Sequence, residues 1–222
     1  MGISDFYDLN TPEGTEVQKV LRHIAKTTNN VFKTLMVTST KSSEGKSIVS
    51  SLIAMTYCQD YNINVLLIDL DLRRPSVHAL FDLPLVDGVV DLIQGNLTLG
   101  QTIKHTNVSG LDIITPGNIS NEANNILANS RTINMLDQLS NRYDKIIIDS
   151  PPVLPVIDAL TILDYVDYAV LVLKLSDTSH RQAELAMKSL YSHKKKILGV
   201  IVNDPNRRLP TEYRYYDNNY YQ

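Results

Sequence analysis

The chain has 222 residues, of which 43% are hydrophobic, and this is enough for one well-buried domain. Its formal net charge of −3 argues against broad, non-specific binding to nucleic acid. No apolar stretch approaches the roughly 20 residues that span a bilayer, and no signal-peptide pattern opens the sequence. Together with a single cysteine, Cys58, these features predict a protein of the reducing cytoplasm.

The first predicted element is an N-terminal helix over residues 13–28 that carries charged residues at a helical spacing. Glu16, Lys19 and Arg22 follow one another at intervals of three residues. Such residues can form a ladder of ion pairs on an exposed helix face, or they can contact another copy of the chain. The spacing alone leaves both interpretations open.

A phosphate-binding loop is predicted between an apolar strand, Leu35–Val37, and an amphipathic helix, Ile48–Cys58. In such a loop, glycine permits a tight turn, and backbone N–H groups and the helix N-terminus bind phosphate oxygens. A lysine then reaches the β- and γ-phosphates, and a hydroxyl binds Mg²⁺. The consensus has glycine where this chain has Thr40, so the flanking elements carry much of the argument. The candidate nucleotide-binding residues are Lys41, Ser42, Ser43, Glu44, Gly45, Lys46, Ser47 and Ile48.

Two later strands are each predicted to end in acidic residues. The segment Val65–Pro75 begins as an apolar run and then carries Asp69 and Asp71, and the segment Lys145–Pro152 begins as an apolar run and then carries Asp149. Ligands of open α/β sheets bind at the carboxyl ends of the strands, so we expect the three carboxylates to lie near the phosphate loop. A single aspartate after a strand is more often a turn residue or a helix cap, but three after suitable elements favour a functional site.

The remaining predicted elements alternate between strand and helix. The strand candidates are Leu111–Thr115, Ala169–Leu173 and Ile197–Val202; the helix candidates are Asn124–Ser140 and Ser179–Ser192, with shorter ones at Val89–Ile93 and Ala159–Leu163. Alternation of this kind is typical of an α/β fold with a doubly wound, mainly parallel sheet. The predicted fold is therefore that of a P-loop NTPase with a deviant Walker A motif.

The chain ends in a tyrosine-rich tail, residues 207–222. Five of the twelve tyrosines are in it: Tyr213, Tyr215, Tyr216, Tyr220 and Tyr221. The tail contains no aliphatic residue beyond Leu209 that would anchor it in a core, so we expect an exposed arm. It begins after the last predicted strand, beside the phosphate loop, and is long enough to enter its own site or a neighbour's. These tyrosines are candidate phosphate acceptors; the alternative is an aromatic docking strip.

In this order, the motifs resemble the cytoplasmic domain of bacterial tyrosine kinases (BY-kinases), of the separate-subunit kind that accompanies capsular or exopolysaccharide synthesis in Firmicutes. That family is related to partition-type P-loop ATPases. It has a Walker A loop, a Walker A′ strand ending in Asp-x-Asp, a Walker B strand ending in Asp, and a C-terminal tyrosine cluster. The resemblance covers essentially the whole chain. It implies a P-loop kinase domain over residues 1–206, followed by the tail.

The resemblance also implies roles for individual residues, with ATP and Mg²⁺ as cofactors. Lys46, Asp69 and Asp71 are the implied catalytic residues, with Asp69 as the general base for a tyrosine hydroxyl. Asn203 is implied to contact adenine, and the sequence after it does not give the Asn-Lys-x-Asp pattern for guanine, which favours ATP over GTP. The implied Mg²⁺ ligands are Ser47, Asp71 and Asp149.

Self-association and partners are further implications of the resemblance. The family has an N-terminal Glu-x-x-Arg-x-x-Arg helix used for ring-like assembly, and here Lys19 replaces the first arginine, which loses the bidentate fork. A separate membrane adaptor would recruit the kinase to the inner face of the cell membrane, and a cognate tyrosine phosphatase would reset the tail. One other function stays open, a partition-type ATPase switch without kinase activity. The presence of Lys46 and of all three acids argues against a catalytically weak regulatory subunit.

Overall fold

The computed structural model describes residue 3 and residues 11–119 and 126–203. The tyrosine-rich tail, with the predicted phosphate acceptors Tyr213, Tyr215, Tyr216, Tyr220 and Tyr221, lies outside the described residues. No helix within the described ranges is long and apolar enough to cross a membrane.

Seven strands form one sheet in the order β3-β4-β2-β5-β1-β6-β7. Their bounds are β1 Thr34–Ser39, β2 Val65–Asp69, β3 Lys104–His105, β4 Leu111–Ile114, β5 Lys145–Asp149, β6 Tyr168–Lys174 and β7 Ile197–Asn203. Every neighbouring pair is parallel except β3 with β4. The predicted mainly parallel α/β fold is therefore confirmed, with a short antiparallel strand at one edge.

The helices lie between the strands. Their bounds are α1 Pro12–Thr28, α2 Lys46–Tyr61, α3 Val77–Leu80, α4 Val89–Gln94, α5 Leu99–Thr102, α6 Ser130–Ser140, α7 Asp158–Leu163 and α8 His180–Ser189, with a 3₁₀ turn at Tyr191–His193. β1, β2 and β5 are buried along their whole length. Two apolar clusters form the core, because the side chains of these central strands point alternately to opposite faces. The central strands are thereby fixed, and with them the ends that carry the predicted site.

Two predicted helices are shorter than expected. The continuous helix predicted at Asn124–Ser140 is interrupted: Ile126 and Leu127 are helical, and α6 begins only at Ser130. Asn129 is the reason, since its side chain accepts a hydrogen bond from the N–H of Arg131 and caps the new helix. The helix predicted to reach Ser192 ends at Ser189 and continues as the 3₁₀ turn.

Candidate nucleotide-binding and catalytic site

The predicted phosphate loop connects β1 to α2 at the carboxyl edge of the sheet. Ser43 and Gly45 both have positive φ, 68° and 90°, which turns the chain tightly before α2 starts at Lys46. A Cβ atom at Gly45 would lie 2.0 Å from Asn203 Nδ2 at the end of β7. Glycine is therefore required at position 45 for its backbone conformation and for the close approach of Asn203.

The loop leaves backbone donors available to a ligand. The N–H groups of Ser43, Gly45 and Lys46 have no hydrogen-bond acceptor within the described part of the chain. They border a cleft of about 310 Å³, which also contains the beginning of α2. The lining residues are Ser42, Ser43, Gly45, Lys46, Ser47, Ile48, Asp71, Arg74, Ser76 and Leu80. Free N–H groups at a helix N-terminus are suited to binding phosphate oxygens.

Three of the predicted nucleotide-binding residues contact other parts of the sheet edge. The Lys41 ammonium lies 2.8 Å from the carbonyl oxygen of Asp177 and 3.1 Å from its carboxylate. The Asn203 amide donates to the carbonyl oxygen of Glu44 at 2.9 Å, and Glu44 itself is buried. Ile48 is 46% exposed at the rim of the cleft. The adenine contact of Asn203 stays a prediction.

Lys46 lies at the base of the cleft in a cluster of carboxylates. Its Nζ is 2.7 Å from Asp71 Oδ2 and 3.5 Å from Asp149 Oδ2, and it donates to Ser47 Oγ at 3.2 Å. Lys46 and Asp71 are 7% and 3% exposed, so their charges interact with little screening by water. β1, β2 and β5 are adjacent in the sheet, and this adjacency brings residues that are far apart in sequence to one site.

The two carboxylates after β2 have different surroundings. Asp69 accepts hydrogen bonds from three backbone N–H groups, those of Asp71 at 3.0 Å, Ser76 at 3.1 Å and Val77 at 3.2 Å. It is 0% exposed, whereas Asp71 lines the cleft. Asp69 therefore organises the turn that follows β2, and Asp71 is the carboxylate that faces the cleft.

Ser47 is part of a chain of hydroxyl groups that ends on Asp149. Ser76 Oγ donates to Ser47 Oγ at 2.7 Å, and Ser47 Oγ donates to Asp149 Oδ2 at 2.5 Å. Asp149 is 0% exposed, and its other oxygen, Oδ1, has no hydrogen-bond partner among the described residues. A buried carboxylate oxygen without a partner is costly unless a ligand occupies it.

Burial and neighbouring charges shift the pKa values of this cluster. Burial alone would lower the pKa of Lys46, but the charges of Asp149 and Asp71 outweigh it and raise the pKa. Burial raises the pKa of Asp149 to about 6, although Lys46 and the Ser47 hydroxyl oppose the shift. Burial, and then the charge of Asp149, raise the pKa of Asp69 well above its ordinary range. The positive charge of Lys46 thus partly offsets the negative charges of Asp69, Asp71 and Asp149.

The donor set fits Mg²⁺. Ser47 Oγ and the oxygens of Asp71 and Asp149 are hard oxygen ligands, which Mg²⁺ prefers. The unpartnered Oδ1 of Asp149 is available for a bond to a cation or to a water bound by it. The three predicted ligands lie close together, because Lys46 contacts all three side chains.

Sequence reasoning did not predict Arg74, Ser76 and Leu80, which line the cleft, or Thr178, which contacts the phosphate loop. Ser76 follows Pro75 directly before α3, so a helix-start signal was present in the sequence. Thr178 contacts the phosphate loop from the turn after β6, and no local pattern indicates that contact.

The predicted self-association residues lie on α1. Lys19 forms an ion pair with Glu16 at 2.8 Å, and both side chains are half-exposed or more. Arg22 is also exposed. The pairing of Glu16 with Lys19 is the ladder that their spacing allows, and contact with another copy of the chain stays a prediction.

Comparison with known proteins agrees with this geometry. Residues 32–200 match the family model described as an AAA domain. MinD from Pyrococcus horikoshii, solved with Mg-ADP, superposes with a TM-score of 0.65 and 24% identity, over 82% of this chain and 75% of that one. The kinase domain of the Escherichia coli tyrosine kinase ETK superposes with a TM-score of 0.78 and 29% identity, over 87% of this chain and 77% of that one. The fold is that of the P-loop ATPases, and the chain belongs to the AAA-domain family.

Curated relatives show which proteins within the AAA-domain family the chain resembles. The putative tyrosine-protein kinase CapB of Staphylococcus aureus is 35% identical over 187 residues, which cover 84% of this chain and 82% of the relative. The tyrosine-protein kinase YwqD of Bacillus subtilis is 33% identical over 185 residues, or 83% and 78% of the two chains. The chain belongs to the bacterial tyrosine-protein kinases.

Proposed function

We propose that this chain is an ATP- and Mg²⁺-dependent protein-tyrosine kinase that autophosphorylates the tyrosine cluster of its tail, in trans within an oligomer. We further propose that it regulates capsular or exopolysaccharide synthesis and export. One observation carries the proposal: Lys46 is paired with Asp71 and Asp149 at the base of a phosphate loop, in a chain similar to tyrosine-protein kinases. The proposed acceptors are Tyr213, Tyr215, Tyr216, Tyr220 and Tyr221.

In this mechanism, positioning and charge stabilisation supply most of the acceleration. The loop N–H groups and Lys46 bind the phosphates, and Lys46 stabilises the negative charge that develops on the transferring phosphoryl group. Ser47, Asp71 and Asp149 would hold Mg²⁺, which neutralises phosphate charge when bound. Adenine would contact Asn203. Lys41 would leave its ion pair with Asp177 and bind the nucleotide instead.

Asp69 is the proposed general base. A tyrosine hydroxyl has an ordinary pKa of about 10, so it is a poor nucleophile unless a base accepts its proton. Burial raises the pKa of Asp69, which suits a base, and the carboxylate is also held by three backbone N–H groups. Taking up a proton therefore requires one oxygen of Asp69 to exchange a backbone N–H for the tyrosine hydroxyl.

Assembly and recruitment complete the proposal. Glu16, Lys19 and Arg22 on α1 would contact a neighbouring copy in a ring, so that the tail of one copy reaches the site of the next. A separate membrane adaptor would bring the kinase to the inner face of the membrane, and a tyrosine phosphatase would reverse the modification. Phosphorylated tails would then disperse the ring through charge repulsion.

Mass spectrometry after incubation with Mg-ATP and the cytoplasmic segment of a candidate adaptor tests the proposal. The samples are wild type, Lys46→Met and a tail-deleted form that ends at Pro210. We expect phosphate on the tail tyrosines of wild type and none on Lys46→Met. ATP hydrolysis without protein phosphorylation would contradict the proposal and support a partition-type switch, which the likeness to MinD makes the second candidate.

A further inference from the structure

The side chain of Glu44 turns inward from the phosphate loop and joins it to the turn after β6. Glu44 is 0% exposed. Its Oε2 accepts hydrogen bonds from the N–H groups of Thr40 at 2.6 Å and Lys41 at 3.0 Å, and its Oε1 accepts one from the Thr178 hydroxyl. One buried carboxylate thus connects the loops that follow two neighbouring strands, β1 and β6.

The turn after β6 is itself well defined. The N–H groups of Asp177 and Thr178 both donate to the carbonyl oxygen of Lys174, at 2.9 Å and 2.8 Å. Asp177 also pairs with Lys41, but these side chains are 49% and 30% exposed, and ion pairs with that exposure contribute little. The hydrogen bond from the half-buried Thr178 to the fully buried Glu44 is therefore the stronger connection.

A carboxylate is an unexpected group beneath a loop that binds phosphate. Its charge opposes the charge of a nucleotide, so Glu44 does not act as a phosphate ligand. Its bonds instead turn the N–H groups of Thr40 and Lys41 inward, while those of Ser43 and Gly45 stay available to the cleft. A loop that is already shaped loses less conformational entropy when the phosphates bind.

We propose that Glu44 and Thr178 are positioning residues for nucleotide binding. The carboxylate of Glu44 fixes the curvature of the phosphate loop, and the hydroxyl of Thr178 fixes the carboxylate. The turn after β6 therefore sets nucleotide affinity, although its residues do not line the cleft. This inference rests on the proposed binding of Mg-nucleotide at the phosphate loop.

Titration of the full chain with a fluorescent ADP analogue and Mg²⁺ tests the inference without any need for kinase activity. We expect Glu44→Ala to raise Kd about 10-fold, because it removes three hydrogen bonds of the loop. Thr178→Val should raise Kd about 3- to 10-fold, since it leaves a buried carboxylate oxygen without its donor. Glu44→Gln and Thr178→Ser should stay within about threefold of wild type. The glutamine oxygen still accepts from Thr40 and Lys41 and its NH2 group donates to the Thr178 hydroxyl, and serine keeps the hydroxyl donor.

Two control variants remove a carboxylate or a hydroxyl group at positions away from the phosphate loop. Glu184 forms an exposed ion pair with Lys188 on α8, and the Thr106 hydroxyl donates to the Leu111 carbonyl oxygen at the far edge of the sheet. Glu184→Ala and Thr106→Val should bind the ADP analogue as wild type does. Steady-state kinetics add a second measurement: the KM for ATP should rise in Thr178→Val, while kcat changes by less than about twofold.

The outcomes separate this inference from the proposed function. Wild-type affinity in Glu44→Ala and Thr178→Val would overturn the inference alone, as would failure of Thr178→Ser to restore affinity. No binding of Mg-ADP by wild type would overturn the inference and the proposed function together. If Glu44→Ala does not fold, the Kd of Thr178→Val compared with that of Thr178→Ser tests whether the Thr178 hydroxyl supports nucleotide binding.

Discussion

Two buried lysines at opposite edges of the sheet show how partners determine what a buried charge does. Lys46, at the carboxyl edge, is 7% exposed and is surrounded by carboxylates. Lys145, at the amino end of β5, is 6% exposed and donates to the carbonyl oxygens of Phe32 at 2.7 Å and Asn30 at 3.0 Å. Its Nζ also lies 3.7 Å from the centre of the Phe32 ring.

The pKa values of these lysines move in opposite directions. Burial favours the neutral form of both, but the charges of Asp149 and Asp71 raise the pKa of Lys46. Carbonyl dipoles and an aromatic ring compensate less than a full negative charge does, and burial lowers the pKa of Lys145 to about 8. Lys46 is thus kept positively charged at the cleft, whereas Lys145 connects β5 to the carbonyl groups of Asn30 and Phe32 before β1.

The largest expected effect comes from Lys46→Met. Phosphotransfer should fall about 1,000-fold or more, because the substitution removes the ammonium at the base of the cleft that stabilises the transferring phosphoryl group in the proposed mechanism. The measurement is the initial rate of tail phosphorylation with Mg-ATP. Lys145→Met is the matched control, and equal losses in both variants would mean that burial, rather than the carboxylate partners, explains the effect.

Replacing the carboxylates around Lys46 should lower phosphotransfer less than Lys46→Met does, and the variants should differ in how Mg²⁺ affects ADP binding. Asp71→Asn should lower transfer about 100-fold and weaken the Mg²⁺-dependent part of ADP binding, because Asp71 faces the cleft. Asp69→Asn should also lower transfer about 100-fold but keep that Mg²⁺ dependence, since its oxygens face backbone N–H groups. ADP titrations with and without Mg²⁺ distinguish the two. Loss of Mg²⁺ dependence in Asp69→Asn would place Asp69 among the metal ligands.

At the other edge, Lys145→Met should affect stability rather than catalysis. The substitution leaves the carbonyl oxygens of Asn30 and Phe32 without their ammonium donor, so we expect a loss of about 1 to 2 kcal/mol in the free energy of unfolding. Urea denaturation measures this loss. A variant with wild-type stability and reduced phosphotransfer would contradict the contrast between the two lysines.

The smallest expected effect is the contribution of Lys145 to the pH dependence of stability. Its pKa is about 8 in the folded chain and near 10.5 in the unfolded one, so the unfolded state binds more protons between these values. The contribution of Lys145 to stability therefore rises with pH across that window and is lost as the pH falls through 8. The stability of wild type relative to Lys145→Met should increase from pH 8 to pH 10. A constant difference would mean that the Lys145 pKa is not shifted.

The carboxyl edge of the sheet was largely predictable because its residues follow strong local patterns. The predicted apolar runs begin at Val65 and Lys145, and both strands begin at these residues. Parallel pairing then brings their terminal aspartates to one edge, as Asp69 is paired with Asp149 in register. These positions follow from strand type and sheet order alone, without knowledge of any side-chain contact.

The remaining features depend on contacts between distant residues or on short, polar elements. Thr178 lies 134 residues from Glu44, so no sequence window contains both. β3 is only Lys104–His105, which is too short and too polar to give an alternating pattern. Asn129 is a recognisable helix cap, but the apolar residues on either side of it favour one continuous helix. Local rules therefore predict the buried strands better than the connections between them.

The close approach of Gly45 and Asn203 limits which sequences this loop can accept. Any side chain at position 45 would have to adopt an unfavourable backbone conformation and would also displace the Asn203 amide, 2.0 Å from the added carbon. A smaller residue at position 203 relieves the second conflict but not the first. Position 45 should therefore stay glycine during evolution whatever residue occupies position 203, whereas position 203 is free of this backbone constraint.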